Sequence, residues 1–259
     1  MRVEGLSVQF PVKQGLLRRT VGHLHALDSV DFRVLRGQTL AVVGEAGAGK
    51  TTLARSITGQ LTPQAGKVLF ESKDLLAASK AELRLALRQV QLLTPEQLAG
   101  PELIASFGSA ETKLLILDEA VDALDAVAQL RLFDELRAQQ DERALTCLLL
   151  TRSLQLAGAL ADEIVVLHAG QVVETGAPAS LLSQPHHPYT QRLRDQAADP
   201  TAHSVPPESG PLRGCRFRAR CPQVLARCGE ESPALVAVTG GLSRCFLHDS
   251  ERDSQADGR

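Results

Sequence analysis

A glycine-rich segment followed by a lysine and two threonines is the part of the sequence best suited to chemistry. It matches the pattern G-x-x-x-x-G-K-[ST] and consists of Gly44, Glu45, Ala46, Gly47, Ala48, Gly49, Lys50 and Thr51, with Thr52 next. In such a loop, backbone N–H groups converge on a phosphate, the lysine reaches the β- and γ-phosphates, and the following hydroxyl ligates Mg²⁺. The apolar run before it and the helical spacing after it predict a strand–loop–helix unit that binds nucleotide. The alternative is a glycine-rich turn before an ordinary helix.

Two adjacent carboxylates form the second chemical candidate. Asp118 and Glu119 follow the apolar run at 114–117. At the end of a buried strand, Asp118 can hold Mg²⁺, and Glu119 can polarise an attacking water as a general base. The pair therefore complements the phosphate loop in a site for phosphoryl transfer. A strand that merely ends in a solvated acidic pair is the alternative interpretation.

Four of the five cysteines lie close together near the end of the chain. They are Cys215, Cys221, Cys228 and Cys245. Four thiolates can bind Zn²⁺ or a [4Fe–4S] cluster, although these spacings are wider than C-x2-C. Reduced structural thiols are the alternative. We interpret the fifth cysteine, Cys147, as a core residue because it lies in an apolar strand pattern.

The rest of the chain must position these groups. Strand and helix patterns alternate along its 259 residues, which predicts a parallel sheet with crossover helices. We expect a first strand at 2–10, a surface excursion at 11–22, and a helix at 79–93 that Ser79 and Glu82 begin as a capping box. The net charge of −2 lacks the excess of positive charge that is typical of nucleic-acid-binding proteins. With no signal peptide and no apolar run of about 20 residues, a soluble chain is expected.

Taken together, the motifs resemble the ATP-binding subunits of ABC transporters in the oligopeptide/dipeptide importer branch. The segments at 44–51 and 114–119 are similar to the Walker A and Walker B motifs, and Asp122 and Asp125 fall in a stretch like the D-loop. Residues 169–176 resemble the turn and strand after the switch histidine. Residues 187–190, 214–217 and 220–222 resemble the branch's C-terminal extension.

The resemblance implies an α/β fold: a P-loop NTPase of ABC type with a mainly parallel sheet and an antiparallel β region. It implies a nucleotide-binding domain at 1–194 with the helical subdomain reduced to about 72–112. A linker at 195–213, a small cysteine-containing extension at 214–248 and a disordered tail at 249–259 would follow. Phe10 occupies the place where the family puts an aromatic residue under adenine, and a core role is its alternative.

The resemblance also implies ligands and partners. ATP and Mg²⁺ would bind at the motifs above, and the four clustered cysteines match those that hold an iron–sulfur cluster in some relatives. Two ATP-binding subunits, as a homo- or heterodimer with the heterodimer favoured, would sandwich two ATP molecules and drive integral membrane permease subunits. A substrate-binding protein would be an indirect partner. The chain would then lie on the inner face of the cell membrane.

Three positions depart from the family pattern. Gln97 is the candidate for the Q-loop glutamine, although the residues around it differ from that loop. The signature motif appears as Leu98, Ala99, Gly100, Pro101 and Glu102, so the serine hydroxyl is absent and a proline removes one backbone N–H. Arg152 occupies the place of the switch histidine; it can bind phosphate but cannot act as a neutral proton acceptor.

These features predict an ATP-binding subunit that energises an ABC importer for di- or oligopeptides, with weakened or asymmetric hydrolysis. The alternative is a non-hydrolysing nucleotide-binding or regulatory subunit that is uncoupled from transport. The retained Glu119 and D-loop favour the first hypothesis, and the shortened helical subdomain favours the second.

Overall fold

The computed structural model describes residues 1–15, 19–98, 111–196 and 213–249. The strands of this part of the chain are β1 (Arg2–Gln14), β2 (Arg19–Arg33), β3 (Thr39–Val43), β4 (Ala65–Phe70), β5 (Lys73–Asp74), β6 (Val90–Leu93), β7 (Leu114–Asp118), β8 (Thr146–Thr151), β9 (Glu163–His168), β10 (Gln171–Gly176), β11 (Val236–Val238) and β12 (Gly241–Ser243). The α-helices are α1 (Lys50–Ile57), α2 (Lys80–Leu87), α3 (Pro95–Leu98), α4 (Ala126–Arg143), α5 (Leu154–Leu160), α6 (Pro178–Ser183) and α7 (Pro188–Gln196).

The larger sheet carries the parallel strands. Its order among the described residues is β11-β12-β10-β9-β3-β8-β7-β6, and β9, β3, β8, β7 and β6 run parallel. Strands β3, β7 and β8 are buried along their whole length, as expected for apolar strands covered on both faces. Because parallel strands end at the same edge, β3 and β7 deliver the phosphate loop and Asp118 to one place.

The smaller sheet is antiparallel, with the order β2-β1-β4-β5. The first strand is longer than predicted: β1 continues through residue 14 and pairs with β2, for example Pro11 with His23. The predicted surface excursion at 11–22 lies mostly exposed where it is described, but residues 11–14 and 19–22 pair with each other as a hairpin that continues the sheet. Ladder hydrogen bonds satisfy the backbone there, so extended pairing persists without burial.

Helix α2 confirms the predicted start but not the predicted end. Glu82 N donates to Ser79 Oγ at 3.3 Å and Ser79 N donates to Glu82 Oε2 at 2.9 Å, which completes the capping box. The helix ends at Leu87, and residues 90–93 form β6. This part of the predicted helix is wrong because the apolar run at 90–93 pairs in parallel with β7 at the edge of the sheet.

The cysteine-containing segment joins the main sheet. Strand β12 pairs antiparallel with β10 and with β11, and Arg244 N donates to Val173 O at 2.8 Å. The two sheets and the strand–loop–helix unit confirm the predicted α/β fold with a mainly parallel sheet and an antiparallel β region. Within the described ranges, no helix has the length and apolarity needed to cross a bilayer.

Candidate nucleotide-binding site

The phosphate loop joins the end of β3 to the start of α1, as the sequence predicted. Gly49 caps the helix with a φ of 113°, a backbone conformation that favours glycine. A Cβ atom on Gly49 would lie 2.5 Å from Ala26 O. The loop therefore needs glycine here both for its backbone angle and for the close approach of β2.

Lys50 is the most enclosed charge of the site, with a side chain that is 2% exposed. Its Nζ donates to Gly44 O at 2.6 Å and to Glu45 O at 3.0 Å, and it lies 3.0 Å from Glu119 Oε1. These contacts hold the lysine inside the curl of the loop. The ammonium group is thus positioned where a bound phosphate would need positive charge.

Thr51 and Asp118 would hold the Mg²⁺ ion. The Thr51 hydroxyl donates to Asp118 Oδ1 at 3.3 Å, which joins the helix start to the end of β7. Hydroxyl and carboxylate oxygens are the hard donors that Mg²⁺ prefers, so the pair fits this ion. Burial raises the pKa of Asp118 above its ordinary value, against the hydrogen bond from Thr51. A cation there would favour the ionised carboxylate.

Glu119 turns its carboxylate toward the phosphate loop through an unusual backbone angle. Its φ is 53°, a left-handed conformation that costs roughly 1–2 kcal/mol for a residue other than glycine. The Glu119 N–H donates to Leu150 O at 2.8 Å, which holds this turn against β8. Glu119 thereby faces Lys50 instead of continuing the strand, as a candidate general base must.

Arg152, at the switch position, lies on the other side of Glu119. Its Nε is 3.5 Å from Glu119 Oε2 and 4.0 Å from Asp122 Oδ2, and its side chain is 58% exposed. Asp122 accepts from Arg152 N at 3.0 Å and from the Thr151 hydroxyl. Asp122 therefore anchors the backbone at Thr151 and Arg152, while the Arg152 guanidinium reaches Glu119 from solvent.

Other predicted positions lie elsewhere or perform local roles. Phe10 is 38% exposed on β1, so it is not a core residue. Gln97 Oε1 accepts from Thr94 N at 2.9 Å, and Asp125 caps α4 by accepting from Ala128 N at 2.8 Å. Thr52 lies half-buried on α1. Of the signature, Leu98 ends α3, and residues 99–102 lie outside the described residues.

The structure gives Tyr189 and Glu174 positioning contacts that the sequence did not predict. Glu45 N donates to the Tyr189 hydroxyl at 2.9 Å, which ties the phosphate loop to α7. The buried Glu174 on β10 accepts from His186 N at 2.6 Å and from His187 N at 3.0 Å, and so fixes the start of α7. No sequence pattern predicts that Glu174 is buried. The His-Pro-Tyr run at 187–189 was the only feature near its partners that the sequence analysis used.

The four clustered cysteines line one small apolar cavity beside Phe217 and Phe246. Burial raises the pKa of the Cys215 and Cys221 thiols, and that of Cys245 to about 11. Among the described residues, no three cysteine, histidine or acidic side chains are arranged to hold a metal ion. The donor set fits a soft metal, but the predicted ligand arrangement is not present. The fully buried Cys147, with a pKa raised to about 12, is core as expected.

The fold and the site together define an ATP-binding cassette, and family comparisons agree. Residues 27–143 match the ABC transporter model. Residues 173–228 match the model of the oligopeptide/dipeptide transporter C-terminal region. These two stretches therefore carry the domain and the C-terminal region that the models describe for the ATP-binding proteins of oligopeptide/dipeptide ABC transporters, a family of transport ATPases.

Individual relatives support this assignment. The chain is 28% identical to a probable peptide ABC transporter ATP-binding protein of Sinorhizobium fredii, over 93% of this chain and 87% of the relative. It is 27% identical to the dipeptide transport ATP-binding protein DppF of Escherichia coli, over 96% and 95%. The second alignment spans 321 positions, more than the 259 residues of this chain, so the relative contains internal segments that this chain lacks.

Solved structures show the same fold. The cbiO1 protein of Clostridium perfringens, part of an ABC transporter complex, matches with a TM-score of 0.56 at 19% identity, over 77% of this chain and 95% of that one. A dimeric bacterial ABC transporter cassette matches with a TM-score of 0.58 at 15% identity, over 68% and 98%. These likenesses confirm the cassette architecture.

Proposed function

We propose that this chain is the ATP-binding subunit that energises an importer of di- or oligopeptides, with weakened or asymmetric ATP hydrolysis. The single observation that carries the proposal is the enclosed position of Lys50 between the loop carbonyls and Glu119. Peptide is the substrate class because relatives named for peptide and dipeptide transport align with nearly the whole chain.

The proposed roles follow the geometry. The N–H groups of residues 44–51 and Lys50 would bind the ATP phosphates, and Thr51 with Asp118 would ligate Mg²⁺. Glu119 would polarise the attacking water, while Lys50 offsets the charge that develops on the phosphate. A Mg²⁺ ion held by Thr51 and Asp118 would supply positive charge against the phosphates. Phe10 would contact the adenine, and Asp122 and Asp125 would lie at the dimer interface.

Weakened hydrolysis is proposed from two features. Glu119 is paired with Lys50 through one carboxylate oxygen and with Arg152 through the other, so both oxygens already have partners that compete with an attacking water. The second feature is the sequence Ala99–Pro101, which offers fewer donors to the ATP bound by a partner subunit. Pairing with a second ABC subunit that has complete motifs would compensate for this loss.

The proposed partners are a second ABC ATP-binding subunit, permease subunits and, indirectly, a substrate-binding protein. Contact with the permease would place the chain on the inner face of the cell membrane. We retain the predicted boundaries at 194, 213 and 248 as part of this proposal.

The test is the steady-state rate of MgATP hydrolysis by the purified chain beside its Glu119→Gln variant. We expect the unmodified chain to hydrolyse MgATP, and the Glu119→Gln variant to bind ATP without hydrolysing it. ATP binding without turnover in the unmodified chain would instead favour the regulatory alternative. Co-purification with permease subunits tests the coupling separately, and a chain that binds no permease would overturn the transport part of the proposal.

We propose further that Cys215, Cys221, Cys228 and Cys245 bind a [4Fe–4S] cluster, or Zn²⁺ in its place. The cavity that the four cysteines line together supports this. Iron, sulfide and zinc contents of anaerobically purified protein test it. Metal-free, colourless protein with four free thiols in this segment would refute it.

A further inference from the structure

An arginine of the C-terminal extension reaches the phosphate loop. Arg220 ends a 3₁₀ turn at Arg218–Arg220, and its Nη2 lies 2.8 Å from Glu45 Oε2. The two residues are 175 positions apart in sequence, and Glu45 is the second residue of the loop. The extension therefore contacts the nucleotide site directly, in addition to extending the sheet.

The contact is largely enclosed by protein. The side chains of Arg220 and Glu45 are 16% and 11% exposed. The guanidinium packs over the Phe217 ring at 5.4 Å, and its Nη1 is buried without a hydrogen-bond partner among the described residues. Burying a charged group is costly unless it is paired, so the pair with Glu45 must hold Arg220 in this position.

Glu45 also has contacts at its backbone and a second contact at its carboxylate. Glu45 N donates to the Tyr189 hydroxyl, Glu45 O accepts from Lys50 Nζ, and Arg192 Nε lies 3.8 Å from Glu45 Oε1. Loss of the Arg220 contact would remove the shorter of the two described arginine contacts to the Glu45 carboxylate, 2.8 Å against 3.8 Å. A small displacement there would move the N–H groups that a phosphate needs.

We propose that Arg220 is a positioning residue for the nucleotide: through Glu45, it holds the phosphate loop in the conformation that binds MgATP. The C-terminal extension then acts on nucleotide affinity as well as on stability. This inference rests on residues 44–51 binding MgATP, as proposed above.

The test compares MgATP dissociation constants of the full chain and of its Arg220→Gln variant by titration calorimetry. We expect affinity to fall about tenfold, the size of a well-formed coupling between charged groups. KM for ATP should rise by a similar factor while kcat changes less, because the contact acts on the loop and not on the reacting atoms. Arg220→Lys should restore part of the affinity.

Arg227→Gln is the matched control. Arg227 belongs to the same extension, packs over Phe246 at 4.3 Å and pairs with Asp249 at 3.8 Å, but it has no contact with Glu45 among those described. We expect its MgATP affinity to stay within about twofold of the unmodified chain. A loss equal to that of Arg220→Gln would mean that any damage to the extension weakens binding, and would overturn the proposal.

Glu45→Gln examines the same contact from the loop side. In a Glu45→Gln background, Arg220→Gln should cause no further loss of affinity, because the pair is already broken. Additive losses, or unchanged affinity in a folded Arg220→Gln variant, would refute the positioning role. If Arg220→Gln does not fold, the MgATP dissociation constants of Glu45→Gln and of the unmodified chain are compared instead. About tenfold weaker binding by Glu45→Gln supports the proposal, and equal binding refutes it. An unmodified chain that binds no MgATP would refute the proposed function itself.

Discussion

The phosphate loop and the switch differ in how tightly their cations are held. Lys50 is 2% exposed and has two carbonyls and one carboxylate within 3.0 Å. Arg152 is 58% exposed, and its Nε lies 3.5 Å and 4.0 Å from its two carboxylate partners. Both cations face the same residue, Glu119, from opposite sides.

The two sides of the site differ in how far they are formed before ligand binds. The loop side is enclosed by β3, α1 and the C-terminal residues, so its charges are positioned before any ligand arrives. The switch side is open, and water screens its contacts. We therefore expect substitutions on the loop side to change ATP binding strongly and substitutions on the switch side to change it weakly.

The largest effect is expected for Lys50→Ala. Removing an enclosed ammonium that meets phosphate should weaken MgATP binding about a hundredfold, since hydrogen bonds to charged groups contribute about 1.5–3 kcal/mol. Titration calorimetry measures the change. Lys113→Ala is the control, because Lys113 is 45% exposed and pairs with Glu71 away from the loop. Equal affinities for Lys50→Ala and Lys113→Ala would contradict the comparison.

The second effect concerns His168, which stacks on Tyr189 behind the loop with ring centroids 4.2 Å apart. Burial, helped by the positive charge of Arg220, lowers the pKa of His168 to about 4. Below about pH 6.5 the unfolded chain therefore binds a proton that the folded chain does not. The free energy of unfolding should fall by about 2 kcal/mol between pH 6.5 and about pH 5 from this residue.

Urea denaturation at both pH values measures this change. The His168→Phe variant, which keeps a ring but cannot titrate, should lose about 2 kcal/mol less than the unmodified chain over the same interval. Equal losses would show that His168 is protonated in the folded state, and the region behind the loop would not be as closed as described.

On the switch side, Asp125→Ala should lower the free energy of unfolding by about 1 kcal/mol, because it removes the N-cap of α4. Thermal or urea denaturation measures the loss. Asp125→Asn keeps a side-chain oxygen that can accept from Ala128 N, and most of the stability should return. A lower ATP turnover in both variants at unchanged stability would point instead to the D-loop role that the family resemblance implies.

The smallest effect is expected for Arg152→Ala. Its exposed ion pairs contribute about 0–1 kcal/mol, so MgATP affinity should change by less than about threefold. The same calorimetric titration measures it beside Lys50→Ala. A tenfold loss would show that Arg152 closes on the phosphate when nucleotide binds, and the two sides of the site would then be alike.

Local patterns predicted most of the fold because residues close together in the sequence specify the elements concerned. The phosphate loop, the apolar strand before Asp118 and the capping box of Ser79 need only neighbouring residues or simple burial. The strand at 90–93 was mistaken for helix because a short apolar run has no period of its own. Its register against β7 decided the conformation.

Fixed spacings in the sequence specify the phosphate loop, the acidic pair and the resemblance to the family. Long-range packing, in contrast, sets the left-handed backbone with which Glu119 faces Lys50, and it brings Arg220 to Glu45 across 175 residues of chain. Such contacts depend on how the sheet and its extension come together. Local sequence carries no information about partners at that separation, because the chain must fold before the partners meet.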